Sequence, residues 1–299
     1  MKILMLYEKD EYTTGVHIEN YLKRSKHQVM TAGLTAPGLA NVDNSRIHTP
    51  AEFVITDLLK KLPAQPEIII TVQGFYNLII HGIDMLTIPT VYYGIDTHTR
   101  TKESIFSEAM KYSKVCFAQK KGCREFKERF DKKAVFMPCC AEPLIHKEFD
   151  VANEYDFAFV GGVDLEDAHK ERREALKKLS KEYKVWIGNA YGYFMSNIYS
   201  KAKVVFNYSM NDDINMRIFE GMSCKRAVLT NKLSSESGLN ELFEADKQIV
   251  CFDEKNMLEQ AKKLINDDKY RESIANEGYK AVLSKHTYEI RTEEILCQK

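Results

Sequence analysis

The chain alternates short apolar runs with longer amphipathic stretches along its whole length. Runs such as EIIITV and AKVVFNYS are rich in β-branched residues, which is typical of parallel strands buried on both faces. Stretches such as LEDAHKERREALKKLSKEY place their apolar residues at helical spacing. Repeated strand and helix units of this kind predict an α/β protein with mostly parallel sheets.

The predicted strands fall into two groups, and 299 residues exceed what one hydrophobic core usually supports. The first group is KILML, HQVMTAG, EIIITV, PTVYYG, KVCFA and AVFMP; the second is YDFAFVGG, YKVWIGN, AKVVFNYS, RAVLTN and QIVCF. Between them, PCCAEP and a polar segment mark a break. We therefore predict two Rossmann-like domains, residues 1–145 and 146–285, facing each other across a cleft. The terminal helix, residues 286–299, is expected to pack back on the first domain.

Charge, cysteine content and hydropathy argue against several classes of protein. Lys plus Arg equals Asp plus Glu at 43 each, so broad nucleic-acid binding is not expected. The seven cysteines include no C-x-x-C pair, which favours a reducing compartment over a disulfide scaffold. No stretch approaches the ~20 apolar residues that span a bilayer, and KILMLY is too short for a signal-peptide core. We expect a soluble, cytoplasmic protein without a transmembrane segment.

A glycine pair follows the first strand of the second group. In open α/β sheets, ligands bind beyond the carboxyl ends of the strands. Gly161 and Gly162 occupy such a position, where glycine lets a phosphate approach the backbone and the start of the next helix. Plain turn geometry explains the pair equally well, so both interpretations stay open.

The most informative segment is AKVVFNYSMNDDINMRIFEGMSCKRAVLTN. A strand ends at Asn207, and a loop containing Asp212 leads into a helix with Arg217 and Glu220. The apolar neighbours of Glu220 predict a buried or half-buried carboxylate, which would need hydrogen-bonding partners such as sugar hydroxyls. Arg217 would offer a fixed positive group to a diphosphate. On the residues alone, an Arg217–Glu220 ion pair within the helix is the simpler interpretation.

From Tyr155 onward, the order of elements resembles the glycosyl transferase group 1 region of CgeB-like (spore maturation) proteins. The matching pieces are FVGG, WIGN, AKVVFNYS, NMRIFEGMSC, SGLNELFE and RESIANEGYKAVLSKHTYEIR. The resemblance implies a GT-B glycosyltransferase in which Glu220 is the second glutamate of an E-x7-E motif. Asp212 stands at the first position with a shorter side chain, a departure from the family pattern.

The resemblance also implies where a nucleotide-sugar donor would bind. Arg217 would face the diphosphate, the turn from Ser237 to Leu239 would approach the donor sugar and phosphate, and Gly188 with Asn189 would lie near the base. Arg217 with Arg172 or Arg173, and amides at helix starts, would stabilise the leaving-group charge. The predicted donor set is Gly161, Gly162, Arg173, Gly188, Asn189, Asp212, Asn215, Arg217, Glu220, Ser237, Gly238 and Leu239.

The acceptor side is predicted from polar residues and glycines that lie next to predicted strands or helices in the first half of the chain. Asp96 and His98 follow the strand PTVYYG at its carboxyl end, where either could take the proton of an acceptor hydroxyl as general base. A turn or cap role for Asp96 is equally well supported. Gly15 and Gly74 would line the acceptor side. The predicted catalytic residues are Asp96, His98 and Glu220.

The expected activity is transfer of a sugar, of the hexosyl kind, from a nucleotide-diphosphate sugar such as a UDP-sugar to an acceptor hydroxyl of a glycan, protein or small molecule. The chain lacks an Asp-x-Asp pair, so we expect neither a metal nor another cofactor. The resemblance favours retention of anomeric configuration, whereas an essential Asp96 would fit inversion. Two other functions stay open: a nucleotide-sugar epimerase or hydrolase, and a protein that binds a nucleotide-sugar without turnover.

Overall fold

The computed structural model describes residues 1–9, 13–35, 46–74, 78–99, 101–164 and 169–297. The chain divides into two compact units, Met1–Pro138 with Arg291–Lys299, and Cys139–Ile290. The boundary predicted at residue 145 lies inside the second of these units.

The first unit is built on parallel strands. Its strands are β1 (Lys2–Tyr7), β2 (Gln28–Gly33), β3 (Ile47–His48), β4 (Glu52–Val54), β5 (Ile68–Gln73), β6 (Ile79–His81), β7 (Thr90–Gly94), β8 (Lys114–Phe117) and β9 (Val135–Phe136). Its helices are α1 (Thr14–Arg24), α2 (Ile55–Leu59), α3 (Lys102–Ala109) and α4 (Lys120–Phe130), with a 3-10 turn at Ile83–Met85. In the part of the unit that the structure describes, the main sheet has the order β3-β2-β1-β5-β7-β8-β9, and β4 pairs with β6. The order reverses beside β1, as in Rossmann-like sheets.

The second unit repeats this design with a smaller sheet. Its strands are β10 (Tyr155–Val160), β11 (Val185–Gly188), β12 (Ala202–Asn207), β13 (Ala227–Asn231) and β14 (Val250–Phe252). Its helices are α5 (Lys170–Leu179), α6 (Gly192–Ser200), α7 (Met216–Ser223), α8 (Leu239–Leu242), α9 (Met257–Asn266) and α10 (Asp268–Lys285), after which α11 (Tyr288–Cys297) runs into the first unit. The strands are parallel in the order β11-β10-β12-β13-β14, so the direction of winding reverses between β10 and β12.

Each sheet has its own apolar core. In the first unit, Ile69 and Tyr92 on the strands pack with Phe106 of α3. In the second, Phe206 of β12 packs with Leu176 of α5. Because helices cover these sheets, the strands read as continuous apolar runs rather than as alternating ones. None of the described helices is both long and apolar enough to cross a membrane.

The predicted α/β class is confirmed, and every predicted strand is present. Only Val135 and Phe136 of the predicted run AVFMP form a strand. The short strands β3, β4 and β6 were not predicted, because two or three residues carry too little periodicity to be recognised in sequence.

Candidate functional site

Arg217 lies where the strand order of the second sheet reverses. Its Nε donates a hydrogen bond to the carbonyl oxygen of Val160, the last residue of β10, at 2.5 Å. Its Nη1 donates to Oδ1 of Asn207, the last residue of β12, also at 2.5 Å. The guanidinium carbon is 4.4 Å from the ring centroid of Phe159. The carboxyl ends of strands beside such a reversal form a crevice in which open α/β sheets bind ligands.

A second arginine, Arg172 of α5, is fixed at the same crevice. Its side chain donates to the carbonyl oxygen of Gly162 at 2.8 Å and to that of Tyr208 at 3.0 and 3.2 Å. Its guanidinium carbon lies 5.4 Å from the centroid of Phe159, the ring that Arg217 also contacts. Arg172 is only 6% exposed. The two arginines are thus held in place by carbonyl and amide oxygens.

These two guanidinium groups form a buried positive cluster. Burial, and then the charge of Arg217, lower the pKa of Arg172 to about 10. Burial also lowers the pKa of Arg217. Within the described residues, neither arginine forms an ion pair with a carboxylate. An anion bound beside them would meet oriented donors whose positive charge is poorly compensated, which is what a diphosphate requires.

The glycine turn after β10 makes room for Arg217. Gly161 has a φ of +151°, and a Cβ at this position would collide with Nη2 of Arg217. Its backbone N–H donates to the carbonyl oxygen of Gly188 at 2.9 Å, which joins the turn to the end of β11. Among the residues that the structure describes, a Cβ on Gly162 would meet Cε1 of His169, at an ordinary 3.4 Å. The arginine therefore requires the first glycine, not the second.

Glu220 lies one helical turn after Arg217 on α7, yet the two side chains form no ion pair. The carboxylate is 12% exposed, and its Oε1 lies 3.9 Å from Nε2 of His146. Burial raises the pKa of Glu220 to about 7, while Arg217 acts in the opposite direction. The helix ion pair considered from the sequence is therefore not the arrangement found. A carboxyl group with such a pKa is typical of functional sites.

Asp212 connects two loops at the same edge of the sheet. It has a φ of 60°, and its Oδ1 accepts a hydrogen bond from the backbone N–H of Ser234 at 2.8 Å. The loop after β12 is thereby tied to the loop after β13. Burial lowers the pKa of both arginines, and the neighbouring Asp213, rather than Asp212, is the carboxylate that opposes this shift in each of them.

The remaining predicted donor residues lie in the loops and helices that follow strands of this sheet. Asn215 is the N-cap residue of α7, and its Nδ2 donates to Oγ of Ser209 at 3.1 Å. Ser237 donates to the carbonyl oxygen of Ser234 at 2.8 Å, and Gly238, with a φ of 88°, precedes Leu239 at the start of α8. Arg173 donates to the carbonyl oxygen of Val163 at 2.9 Å, and Asn189 directly follows β11.

A cavity of about 400 Å³ opens at the carboxyl ends of β12 and β13. Arg172, Tyr208 and Asp212 contribute to its lining. This volume suits a small ligand. In the described ranges, no group of three or more His, Cys, Asp or Glu side chains is arranged to hold a metal ion.

The predicted acceptor-side residues lie in the first unit. Gly74 and Asp96 follow the neighbouring strands β5 and β7, and a Cβ on Gly74 would lie 3.0 Å from Oδ2 of Asp96. His98 lies in the same turn as Asp96 and is half-buried. Gly15 belongs to α1, and a Cβ there would collide with the ring of Tyr7, so close packing of α1 on β1 explains this glycine.

Two histidines, one beside Arg172 and one beside Glu220, were not found from the sequence. His169 directly precedes α5, and burial, then Arg172 and Arg173, lower its pKa. His146 lies beside Glu220 although 74 positions separate them in the chain. A lone histidine in a polar stretch gives no signal of such a contact, because packing alone brings the two side chains together.

Comparisons with known proteins show the family of the chain and its fold. A family model described as glycosyl transferase-like matches residues 145–297, just over half of the chain. The chain is similar in structure to HepE of Anabaena in complex with UDP, with a TM-score of 0.67, 13% identity, and coverage of 99% of this chain and 98% of that one. It is also similar to sucrose-phosphate synthase of Thermosynechococcus elongatus, with a TM-score of 0.65, 10% identity, and coverage of 99% and 97%. No curated protein matches the chain by sequence.

The N-terminal domain of Candida albicans trehalose-6-phosphate phosphatase is a further structural match, with a TM-score of 0.65, 10% identity, and coverage of 99% of this chain and 96% of that one. These likenesses extend over nearly the whole chain and confirm the predicted GT-B fold. The finer resemblance to CgeB-like proteins stays a prediction. With its second sheet, its arginine cluster and Glu220 all inside the matched segment, the chain belongs to the glycosyl transferase-like family.

Proposed function

We propose that this protein transfers a sugar from a nucleotide-diphosphate sugar, specifically a UDP-sugar, to an acceptor hydroxyl. The observation that carries the proposal is the buried pair of Arg172 and Arg217 at the strand reversal of the second sheet. The similar structures of Anabaena HepE were solved with UDP and, at a TM-score of 0.63 and 11% identity, with UDP-glucose. Those complexes support a UDP-sugar as the first donor to test.

In this proposal the diphosphate lies against Arg172 and Arg217. Negative charge grows on the diphosphate as the bond to the sugar breaks, and oriented cations in a partly dry site stabilise that charge more strongly than water does. Backbone amides at the start of α5 add positive potential. These groups would serve the leaving group without a metal, so we expect activity to survive removal of divalent cations by a chelator.

Glu220 would accept a hydrogen bond from a hydroxyl of the donor. Such a bond favours the ionised carboxyl, whereas burial favours the protonated one and raises the pKa to about 7. Donor binding would therefore lower the pKa of Glu220. Tyr191, which is 62% exposed and is the N-cap residue of α6, offers an aromatic face for the base two residues after Asn189.

Asp96 and His98 remain the proposed general bases for the acceptor hydroxyl. If Asp96 removes the acceptor proton during an inverting transfer, Asp96→Asn should abolish transfer. If transfer retains the anomeric configuration, a protein base is not strictly needed and Asp96→Asn should leave measurable activity. The anomeric configuration of the product, determined by NMR, separates the two mechanisms.

The proposal is tested by following a panel of nucleotide-diphosphate sugars with and without candidate acceptors. We expect one UDP-sugar to be consumed faster with an acceptor, yielding UDP and a glycosylated product. Glu220→Gln should reduce transfer at least tenfold, whereas Glu259→Gln, on the exposed face of α9, should not. Free sugar as the only product would instead identify a hydrolase, and an isomeric nucleotide-sugar would identify an epimerase. Binding of a nucleotide-sugar with no product of any kind would identify a non-catalytic binding protein.

A further inference from the structure

We infer that His146 is a positioning residue for Glu220: the ring N–H of His146 faces the carboxylate, favours its ionised form and orients it toward the donor. This inference deepens the proposed function and rests on it. It is carried by the contacts of His146 with α7 and with the turn that precedes β10.

The hydrogen bonds of His146 define which ring nitrogen carries the proton. Its Nδ1 accepts a hydrogen bond from the backbone N–H of Glu142 at 3.0 Å. The neutral ring must therefore be protonated at Nε2. Nε2 is the atom that lies 3.9 Å from Oε1 of Glu220. The N–H of the imidazole thus stands on the side of the carboxylate.

The backbone of His146 is fixed against the same helix. Its carbonyl oxygen accepts a hydrogen bond from Oγ of Ser223 at 2.5 Å, one turn after Glu220 on α7. Its backbone N–H donates to the carbonyl oxygen of Glu142 at 2.7 Å. The side chain is only 1% exposed, so the ring has little freedom to turn away. A movement of about 1 Å by the glutamate would close the gap to a hydrogen bond.

Arg217, Tyr199 and Cys224 are other groups that interact with the charge of Glu220. Arg217 lowers the pKa of Glu220, but its Nε and Nη1 are already bonded to Val160 and Asn207. Burial, and to a lesser extent the charge of Glu220, raise the pKa of Tyr199 and of Cys224. Both groups therefore stay neutral near pH 7. Besides Arg217, His146 is therefore the neighbour whose loss we expect to change the ionisation of Glu220.

The test combines the pH profile of kcat/KM with a direct titration of Glu220. In His146→Leu, the acidic limb of the profile should move upward by about one pH unit, because burial acts against a carboxylate that has lost a nearby donor. Activity should fall about tenfold at pH 6.5 and approach the wild-type value at pH 9. His146→Gln keeps an N–H donor at the end of its side chain, so the acidic limb of its pH profile should lie close to that of the wild type. His286→Leu is the matched control, because His286 is also buried and packs against Phe219 of α7.

Failure of the His146 inference can be distinguished from failure of the proposed function. Carbon NMR titration of the Glu220 carboxyl, assigned with Glu220→Gln, reports the shift without requiring any turnover. An upward shift in His146→Leu with no transfer by the wild type would retain the His146 inference and reject the proposed function. A loss of activity by the same factor at every pH, or an unshifted titration, would overturn the inference. If His146→Leu does not fold, the same comparison between His146→Gln and His146→Asn decides, with Gln expected to keep the wild-type limb and Asn to shift it.

Discussion

Because Glu220 is buried, ionisation of its carboxyl group destabilises the folded protein. Its pKa of about 7 exceeds the ordinary value of 4.5, so between these pH values the unfolded chain has released a proton that the folded protein keeps. The contribution of Glu220 to the free energy of unfolding should therefore be highest below pH 4.5. It should fall as the pH rises to about 7, by roughly 3 kcal/mol for the full shift.

The variant Glu220→Gln should remove this pH dependence and, at pH 8, be more stable than the wild type while losing transfer. Urea unfolding at pH 5 and pH 8 measures the effect. The exposed Glu259→Gln should keep the wild-type difference between the two pH values. A pH slope in Glu220→Gln that equals that of the wild type would show that Glu220 ionises normally.

At this scale, sequence reasoning identified Arg217 and Glu220 but not their partners. Spacing and resemblance marked both residues, since each is unusual on an apolar helix. That Arg217 bonds to Val160 depends on a contact across 57 positions of the chain, which no local pattern encodes. The contact between His146 and Glu220 was missed for the same reason.

At the scale of elements, the turn from β10 to α5 decides whether the arginine cluster can form. Gly161→Ala would place a side chain at a φ of +151° and push Nη2 of Arg217 from its position. We expect a loss of stability of about 1–3 kcal/mol together with weaker UDP binding. Gly162→Ala, where the added Cβ has ordinary van der Waals room, should change the melting temperature little. Equal losses of stability in the two variants would contradict the role assigned to Gly161.

The elements themselves were largely predictable from sequence, because strands covered on both faces need long apolar runs. The glycine pair was placed correctly after β10, but sequence could not tell which glycine is required. That difference arises from Arg217, which approaches one Cα and not the other. The loops around Asp212 depend on hydrogen bonds between distant turns, such as that from Ser234.

At the scale of the whole molecule, all the described contacts of the arginine cluster lie within the second unit. UDP at one hundred times its Kd should stabilise the folded state by about 2.7 kcal/mol. We expect hydrogen exchange to slow most in the turns after β10, β12 and β13. The sheet of the first unit should be protected less. Protection concentrated in the first unit would place the nucleotide elsewhere.

Calorimetric titration of UDP and UMP into the wild type and Arg217→Lys tests whether the arginine cluster binds a diphosphate. Hydrogen bonds to charged groups contribute about 1.5–3 kcal/mol, so the wild type should bind UDP at least tenfold more tightly than UMP, and Arg217→Lys should lose most of that difference. Arg226→Lys is the control. Arg226 also donates to backbone carbonyls, but it directly precedes β13 and so lies at the amino ends of the strands, opposite the arginine cluster. Undiminished preference for UDP in a folded Arg217→Lys variant, or no binding of UDP by the wild type, would contradict a diphosphate site at the arginine cluster.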